Sequence, residues 1–383
     1  MKRWIYILIA LSIITSPFYV IKSGLPQISD FFLLIAFVLF IFNYRIKKNR
    51  ILLLIIIIII LISITNLTWG IIYSNLAFVL SVIYYIFNFM FIVMILNLYQ
   101  YHKNEILEIV YKALIVSVII QMLISPFAMV TNTTRQTLFF NNPNQLGYYA
   151  LLSFSIITLL YYILKKSPYL YLTVSIMTTY LALLSNSSAS LIAISVMLII
   201  QFIMLFVLRL NTHQKLITIA FIAGIILVGN TLIKDITDID IIQNTQQRFE
   251  SKSEKSQSVF EERRYDRILE NYELLIFGAG EGIPIKRFGR GEIHSTLFSF
   301  LFNYGLITTM FLLILLLIFI KQPTVIALII LFAIHFYGLT HNGIRQPLFW
   351  LATIIIYMGN EQGELSIKSI ITHISNPIKT KYI

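Results

Sequence analysis

The sequence predicts an all-α, polytopic integral membrane protein with about twelve transmembrane helices and one large loop outside the bilayer. Of 383 residues, 58% are hydrophobic and only 12% are charged. A soluble domain carries about a quarter charged residues, so there is too little polar surface here to coat a water-soluble particle. Apolar runs near the ~20 residues that a membrane helix needs recur along the chain. The formal charge of +12 sits in short segments between those runs, which argues against nucleic acid as a partner. The chain has no cysteine, which excludes disulfide scaffolds, thiol catalysis, iron–sulfur clusters and cysteine zinc sites.

The runs fall at 4–21, 28–43, 51–66, 76–97, 106–128, 144–164, 169–185, 190–208, 216–233, 295–320, 323–339 and 343–358. Irregular backbone facing lipid leaves polar groups unpaired, so each run is expected to be a helix. The first follows Met1-Lys2-Arg3, as a signal peptide does. Ser16-Pro17-Phe18-Tyr19 offers no small-x-small cleavage site and a second span follows at once, so a retained helix is expected.

Twelve spans place both termini on one side. The segments on that side hold fifteen Lys and Arg, from Lys2 and Arg3 to Lys379 and Lys381. The short loops opposite hold three, Lys22, Arg135 and Arg345. Short-loop Lys and Arg set orientation, so both termini are expected in the cytoplasm. Ten further bases and twelve of the seventeen acids lie in 234–293, with a net charge of −2. The expected organisation is a membrane domain over 1–233 with about nine helices, a large outer loop over 234–293, about three more helices over 294–359, and a cytoplasmic tail over 360–383. Glu261-Glu262-Arg263-Arg264-Tyr265-Asp266-Arg267-Ile268-Leu269 suggests a charged helix inside the loop. The tail fits an interfacial amphipathic helix or disorder equally.

Four polar constellations cluster at the outer ends of spans. In Arg135-Gln136-Thr137-Leu138-Phe139-Phe140-Asn141-Asn142-Pro143-Asn144-Gln145-Leu146-Gly147 an arginine precedes an Asn/Pro turn that opens a helix. Free N–H groups there suit an anion, and an ordinary helix cap explains the turn as well. Arg263, Arg264 and Arg267 present guanidinium groups that bind phosphate through paired donors or pair with Glu261, Glu262, Asp266 and Glu270. His294 opens a span from the water side, where histidine can accept or position a proton or act as a polar anchor. His341-Asn342-Gly343-Ile344-Arg345 joins the last two spans, as a site element or a plain hairpin. Gly278-Ala279-Gly280-Glu281-Gly282 has the wrong spacing and surroundings for a dinucleotide loop. Asp235, Asp238 and Asp240 are more simply solvated than metal-binding, and the six histidines are too scattered for zinc. Ser185-Asn186-Ser187-Ser188-Ala189-Ser190 has no base partner for serine catalysis and suits close helix packing.

In combination these motifs resemble the O-antigen ligase/polymerase superfamily. Asn142-Pro143-Asn144-Gln145-Leu146-Gly147 is similar to that family's Asn-Pro-Asn-x-Leu-Gly entry to a span. Ser185 to Leu191 resembles its Ser-rich turn, without the usual Ser-Arg-Gly form. Arg267 and Gly278 fit the polymerase spacing Arg-x10-Gly. His294-Ser295, nine residues, Gly305, two residues and Thr308 fit a second family pattern. Arg135 is followed by eleven residues before Gly147, so the first loop does not repeat the Arg-x10-Gly spacing.

The resemblance implies a GT-C-like helical bundle in the bacterial inner membrane. It implies a Wzy-type polymerase that joins undecaprenyl-diphosphate-linked oligosaccharides by inverting glycosyl transfer at the periplasmic face, without cofactor or metal. His294 and Arg267 would be catalytic. Arg135, Arg264 and Arg345 would hold the diphosphate. Asn142, Asn144 and His341 would position substrate. Membrane lipids and a chain-length regulator would be partners. A core ligase of the same superfamily, or a flippase or transporter, are the competing expectations. A transporter should show paired halves and broken or charged helices at mid-membrane, whereas the polar content here is concentrated in one outer loop.

Overall fold

The computed structural model describes residues 1–21, 27–128, 135–204, 259–289, 291–320, 324–361 and 363. Among these every regular element is helical. The apolar helices are α1 (Lys2–Thr15), α2 (Ile28–Asn43), α3 (Arg50–Ile72), α4 (Ala77–His102), α5 (Asn104–Ala128), α6 (Pro143–Ile163), α7 (Pro168–Ser185) and α8 (Ser188–Met204). After the short α9 (Val259–Glu262), α10 (Asp266–Glu270) and α11 (Pro284–Phe288) come α12 (Thr296–Phe319), α13 (Val325–Gly338) and α14 (Pro347–Glu361). Six of them, α3 to α7 and α12, are long and apolar enough to cross a membrane, and α2, α8 and α13 are shorter apolar helices. This architecture is compatible with a polytopic membrane protein. The expected run 216–233, the acids Asp235, Asp238 and Asp240, and nearly all of the tail lie outside the described residues.

Helix starts follow local chemistry. Asn49, Asn142 and Thr324 cap α3, α6 and α13 by accepting from the N–H groups of Ile51, Gln145 and Ala327 at 3.0, 3.0 and 3.2 Å. Side-chain oxygens there satisfy donors that have no partner within the helix. Pro143 and Pro168 occupy first-turn positions, where a missing N–H costs nothing.

Helix α6 is the axis of the bundle. Every residue from Leu146 to Ile163 is buried, with α5, α7, α8, α13 and α14 around it. Several of its polar side chains are paired internally, Tyr149 with Ser117 at 2.6 Å and Thr158 with Tyr171 at 3.1 Å. Such pairing is what a site out of reach of water demands. At its start, Gly147 lies so close to the Ser-rich turn that a Cβ would sit 2.5 Å from Ser190 Oγ and 2.7 Å from Ser185 Oγ. By contrast, α2 and α12 turn Phe31, Leu34, Ile35, Leu306, Met310 and Leu317 outward. Rows of exposed apolar side chains of this kind mark contact with lipid or protein.

The bundle has two different ends. At one, Lys2 pairs with Glu105, Lys166 with Glu108 at 2.6 Å, and Tyr44 with His102 at 2.8 Å. At the other, residues 278–282 cross over a break in α12. Gly305 has φ 77 and ψ 174 inside that helix, so the carbonyls of Phe302 and Asn303 lose their usual partners one turn on. The N–H groups of Ala279 and Gly280 replace those partners, both at 2.8 Å. The approach requires glycine. A Cβ on Gly278 would lie 2.4 Å from Asn303 O, and one on Gly305 2.4 Å from Ile276 O. Trp69 of α3 donates its indole N–H to Gly278 O at 2.8 Å, closing the other side of the strap.

The expected helix over Glu261 to Leu269 is instead two short helices broken at Arg264, whose φ is 62. Arg264 N–H bonds to Glu261 O and Tyr265 N–H to Phe260 O, the paired closure of a helix that ends in a left-handed residue. The turn lets Arg263 reach Thr340 O at 2.8 Å and Tyr265 donate to Leu339 O. These tertiary bonds outweigh the local helical preference.

Gly305→Ala and Gly278→Ala should each destabilise the protein by at least about 2 kcal/mol, from left-handed backbone and backbone overlap together. Gly289→Ala is the control, because its φ is 68 but nothing lies within 4 Å, and it should cost only about 1 kcal/mol. Thermal unfolding in detergent measures the difference, and equal losses would contradict the strap.

Candidate functional site

A cavity of about 530 Å³ opens at the end of the bundle that carries the glycine strap. Its walls come from elements that all start or finish there: the end of α1 and its following turn (Ser12, Ser16, Tyr19), the start of α2 (Gln27, Asp30), α4 (Tyr84, Asn88) and the start of α6 (Asn142, Asn144). His294 before α12 and the α13–α14 turn complete it. Tyr84 and Asn88 lie seven and eleven residues into α4, so the cavity is recessed about 10–17 Å below that helix's start at 1.5 Å per residue.

Five of the residues expected from the sequence meet in its lining: Asn142, Asn144, His294, His341 and Arg345. Arg135 stands at the edge, donating to Asn144 Oδ1 at 2.5 Å and Ser185 O at 3.2 Å. It ties the loop before α6 to the end of α7. Arg264 and Arg267 are not in the lining. Arg264 donates to Glu292 O at 3.0 Å. Arg267 is 4% exposed, donates to Gly291 O at 2.6 Å and lies over the Phe288 ring at 5.0 Å. Both arginines brace the segment that carries His294 instead of facing the cavity.

Arg345 is the cation of the lining. It pairs with Glu281, and with Glu292 at 3.2 Å. Its Nε is buried without a hydrogen-bond partner. Glu281 is 5% exposed. It accepts from Tyr304 OH, and its N–H bonds to Asn66 Oδ1 at 2.7 Å. Asn88 holds the other side of the turn by donating to Arg345 O at 3.0 Å. A nearly buried carboxylate with this many donors is a fixed counter-charge that orients the guanidinium.

His294 is half-buried, and its ring makes no hydrogen bond among the described residues. Burial first, and then Arg264 and Arg263, push its pKa below the ordinary histidine value. The ring is therefore neutral at physiological pH and able to accept a proton. His341 closes an aromatic stack, 4.6 Å from Tyr337, which stacks on Tyr148 at 4.4 Å. Tyr337 OH then donates to Asn144 O at 2.8 Å, joining the α13 end to the α6 start.

Two carboxylates in the lining escaped sequence reasoning. Asp30 is buried and accepts from Gln27 N–H at 2.6 Å, with no cation beside it among the described residues. Its signal was available, because an acid at the mouth of an apolar run is a functional suspect. Glu292 stands two residues before His294, inside the acidic loop that masked it. Among the described residues no three His, Asp or Glu gather as a metal site. A cation, a neutral imidazole, uncharged amides and carboxylates around aromatic walls can hold a polyhydroxylated ligand that bears an anionic group. Ile13, Leu33, Phe87 and Phe91 add an apolar wall to the cavity.

No family model and no curated protein matches the chain.

Glu281→Gln leaves Arg345 with only the half-exposed Glu292. Removing one partner of a buried pair costs about 3 kcal/mol. Unfolding midpoints should fall accordingly, while Glu292→Gln should cost less than about 1 kcal/mol. Equal effects would contradict the assignment of Glu281 as the buried anchor.

Proposed function

We propose that the chain is a membrane glycosyltransferase. It joins undecaprenyl-diphosphate-linked oligosaccharide repeat units into O-antigen or capsular polysaccharide at the periplasmic face of the bacterial inner membrane. The observation that carries this reading is the convergence of Arg345, His294, Asn142 and Asn144 on one recessed cavity, at the end of the bundle away from the Lys2, Lys166 and Lys112 cluster. Its volume of about 530 Å³ falls within the ~300–1,000 Å³ of small-molecule sites. The charge asymmetry supports a periplasmic cavity and cytoplasmic termini.

In this reading Arg345 neutralises the donor diphosphate. A phosphate oxygen displaces the half-exposed Glu292 carboxylate from Arg345 Nη2. His294, kept neutral, takes the proton of the acceptor sugar hydroxyl. The acceptor oxygen attacks the anomeric carbon as the carbon–oxygen bond to diphosphate breaks, and undecaprenyl diphosphate leaves. Asn142, Asn144 and His341 hold sugar hydroxyls. Electrostatic stabilisation of the departing diphosphate contributes about 3–4 kcal/mol per well-placed donor. Arg264 and Arg267 act by bracing His294, and Arg135 by bracing Asn144. The apolar wall of Ile13, Leu33, Phe87 and Phe91 suits the first isoprene units.

The test is polymer length in cells that lack the chromosomal copy and carry plasmid variants. Arg345→Ala and His294→Ala should remove long chains at normal protein level, leaving single repeat units. Arg267→Ala should lower protein level together with polymer. Activity of the wild type should fall as pH drops through a value below the ordinary histidine pKa of about 6.5, because a protonated imidazole cannot accept a proton. A full ladder from both cavity variants would overturn the reading. Complete loss of lipid-attached glycan in the deletion strain would point to a ligase instead.

A further inference from the structure

The basic end of the bundle carries a second cavity, about 480 Å³, in the cleft between α1 and α5. These helices start at the same end, where Lys2 pairs with Glu105, and remain in contact to Ser117, which donates to Ile14 O at 3.3 Å. Ala10 and Ala113 are too small to fill the seam. The groove they leave is walled by Ile7, Ile14, Ile109 and Val116. Lys2, Arg3 and Lys112 stand in the same lining, with Glu105 as its acid, a net charge of +2. Lys112 also contacts Glu108 at 3.4 Å. Arg3 is exposed and has no partner among the described residues. Tyr6, 8% exposed, lines the groove with its hydroxyl buried beside Glu105.

The dimensions match one half of a bilayer. Lys2 to Ile14 spans about 18 Å and Glu105 to Val116 about 16 Å at 1.5 Å per residue, against about 15 Å for one leaflet of a ~30 Å hydrocarbon core. The groove therefore has an apolar floor one leaflet deep and a net positive mouth. We propose that it is a binding site for an anionic phospholipid, with one acyl chain along the α1–α5 seam and the phosphate at Arg3, Lys2 and Lys112. A zwitterionic lipid fills the same floor, but its own ammonium cancels the attraction. The site shares no residue with the cavity at the opposite end and stands independently of the reaction proposed there.

The test places the full chain in nanodiscs of equal phosphatidylglycerol and phosphatidylcholine and counts retained lipids by native mass spectrometry. The wild type should keep phosphatidylglycerol over phosphatidylcholine at least about fivefold. Arg3→Gln should lower that preference about fivefold, the effect of one basic side chain at a membrane surface. Lys2→Gln/Arg3→Gln/Lys112→Gln should abolish it, and Ala10→Leu/Ala113→Leu should reduce retention of both lipids by filling the floor. Because Arg3 is exposed and unpaired, its variant does not depend on repacking. No preference in the wild type, or an unchanged preference in Arg3→Gln and the triple variant, overturns the proposal.

Discussion

The contact on which the rest of the cavity end depends is the ion pair between Glu281 and Arg345, held in place by two glycines. A buried carboxylate is costly unless its lone pairs are filled. Here Arg345 and Tyr304 fill those of Glu281. Glu281 arrives at that position because the strap at 278–280 lies directly on the broken turn of α12, where Gly278 and Gly305 allow backbone to meet backbone. The same pair ties the α13–α14 turn to α3 and α12, so a local break in one helix sets the geometry of a guanidinium that faces the cavity.

The two ends of the bundle handle charge differently. At the basic end, Lys2, Lys112 and Lys166 meet Glu105 and Glu108 in partly exposed pairs of the kind worth little individually. At the cavity end, charges are buried and braced, and the braces are themselves arginines. Arg135, Arg263, Arg264 and Arg267 all donate to backbone carbonyls. They fix loops that an apolar core cannot reach. This division leaves Arg345 as the guanidinium in the lining, with a neutral His294 in the same lining.

Hydropathy made the helices legible, because a lipid-facing or fully buried helix has few ways to be anything else. The alternation of helix direction also made much of the site legible. Polar residues that open α6, α12 and α14 must share an end, which is how Asn142, His294 and Arg345 come together. What escaped was set by long-range contact. The spacing of Arg267 resembled a catalytic motif, yet the side chain turns onto Phe288 and Gly291. The glycines of 278–282 have the wrong spacing for a dinucleotide loop, and their structural reason is visible only once Gly305 is seen beneath them. The charged stretch 261–269 has good helical composition, but Arg263 and Tyr265 gain more by reaching the end of α13.

The absence of native cysteine allows one direct test of the central claim, that the recessed cavity faces outward and receives a lipid diphosphate. A single cysteine at Asn141, in the cavity lining, is placed in right-side-out inner-membrane vesicles and labelled with a membrane-impermeant maleimide. Labelling should proceed without permeabilisation and slow several-fold when undecaprenyl-diphosphate-linked repeat units are added, but not with undecaprenol. Labelling that requires permeabilisation, or that is indifferent to the diphosphate lipid, would contradict the account.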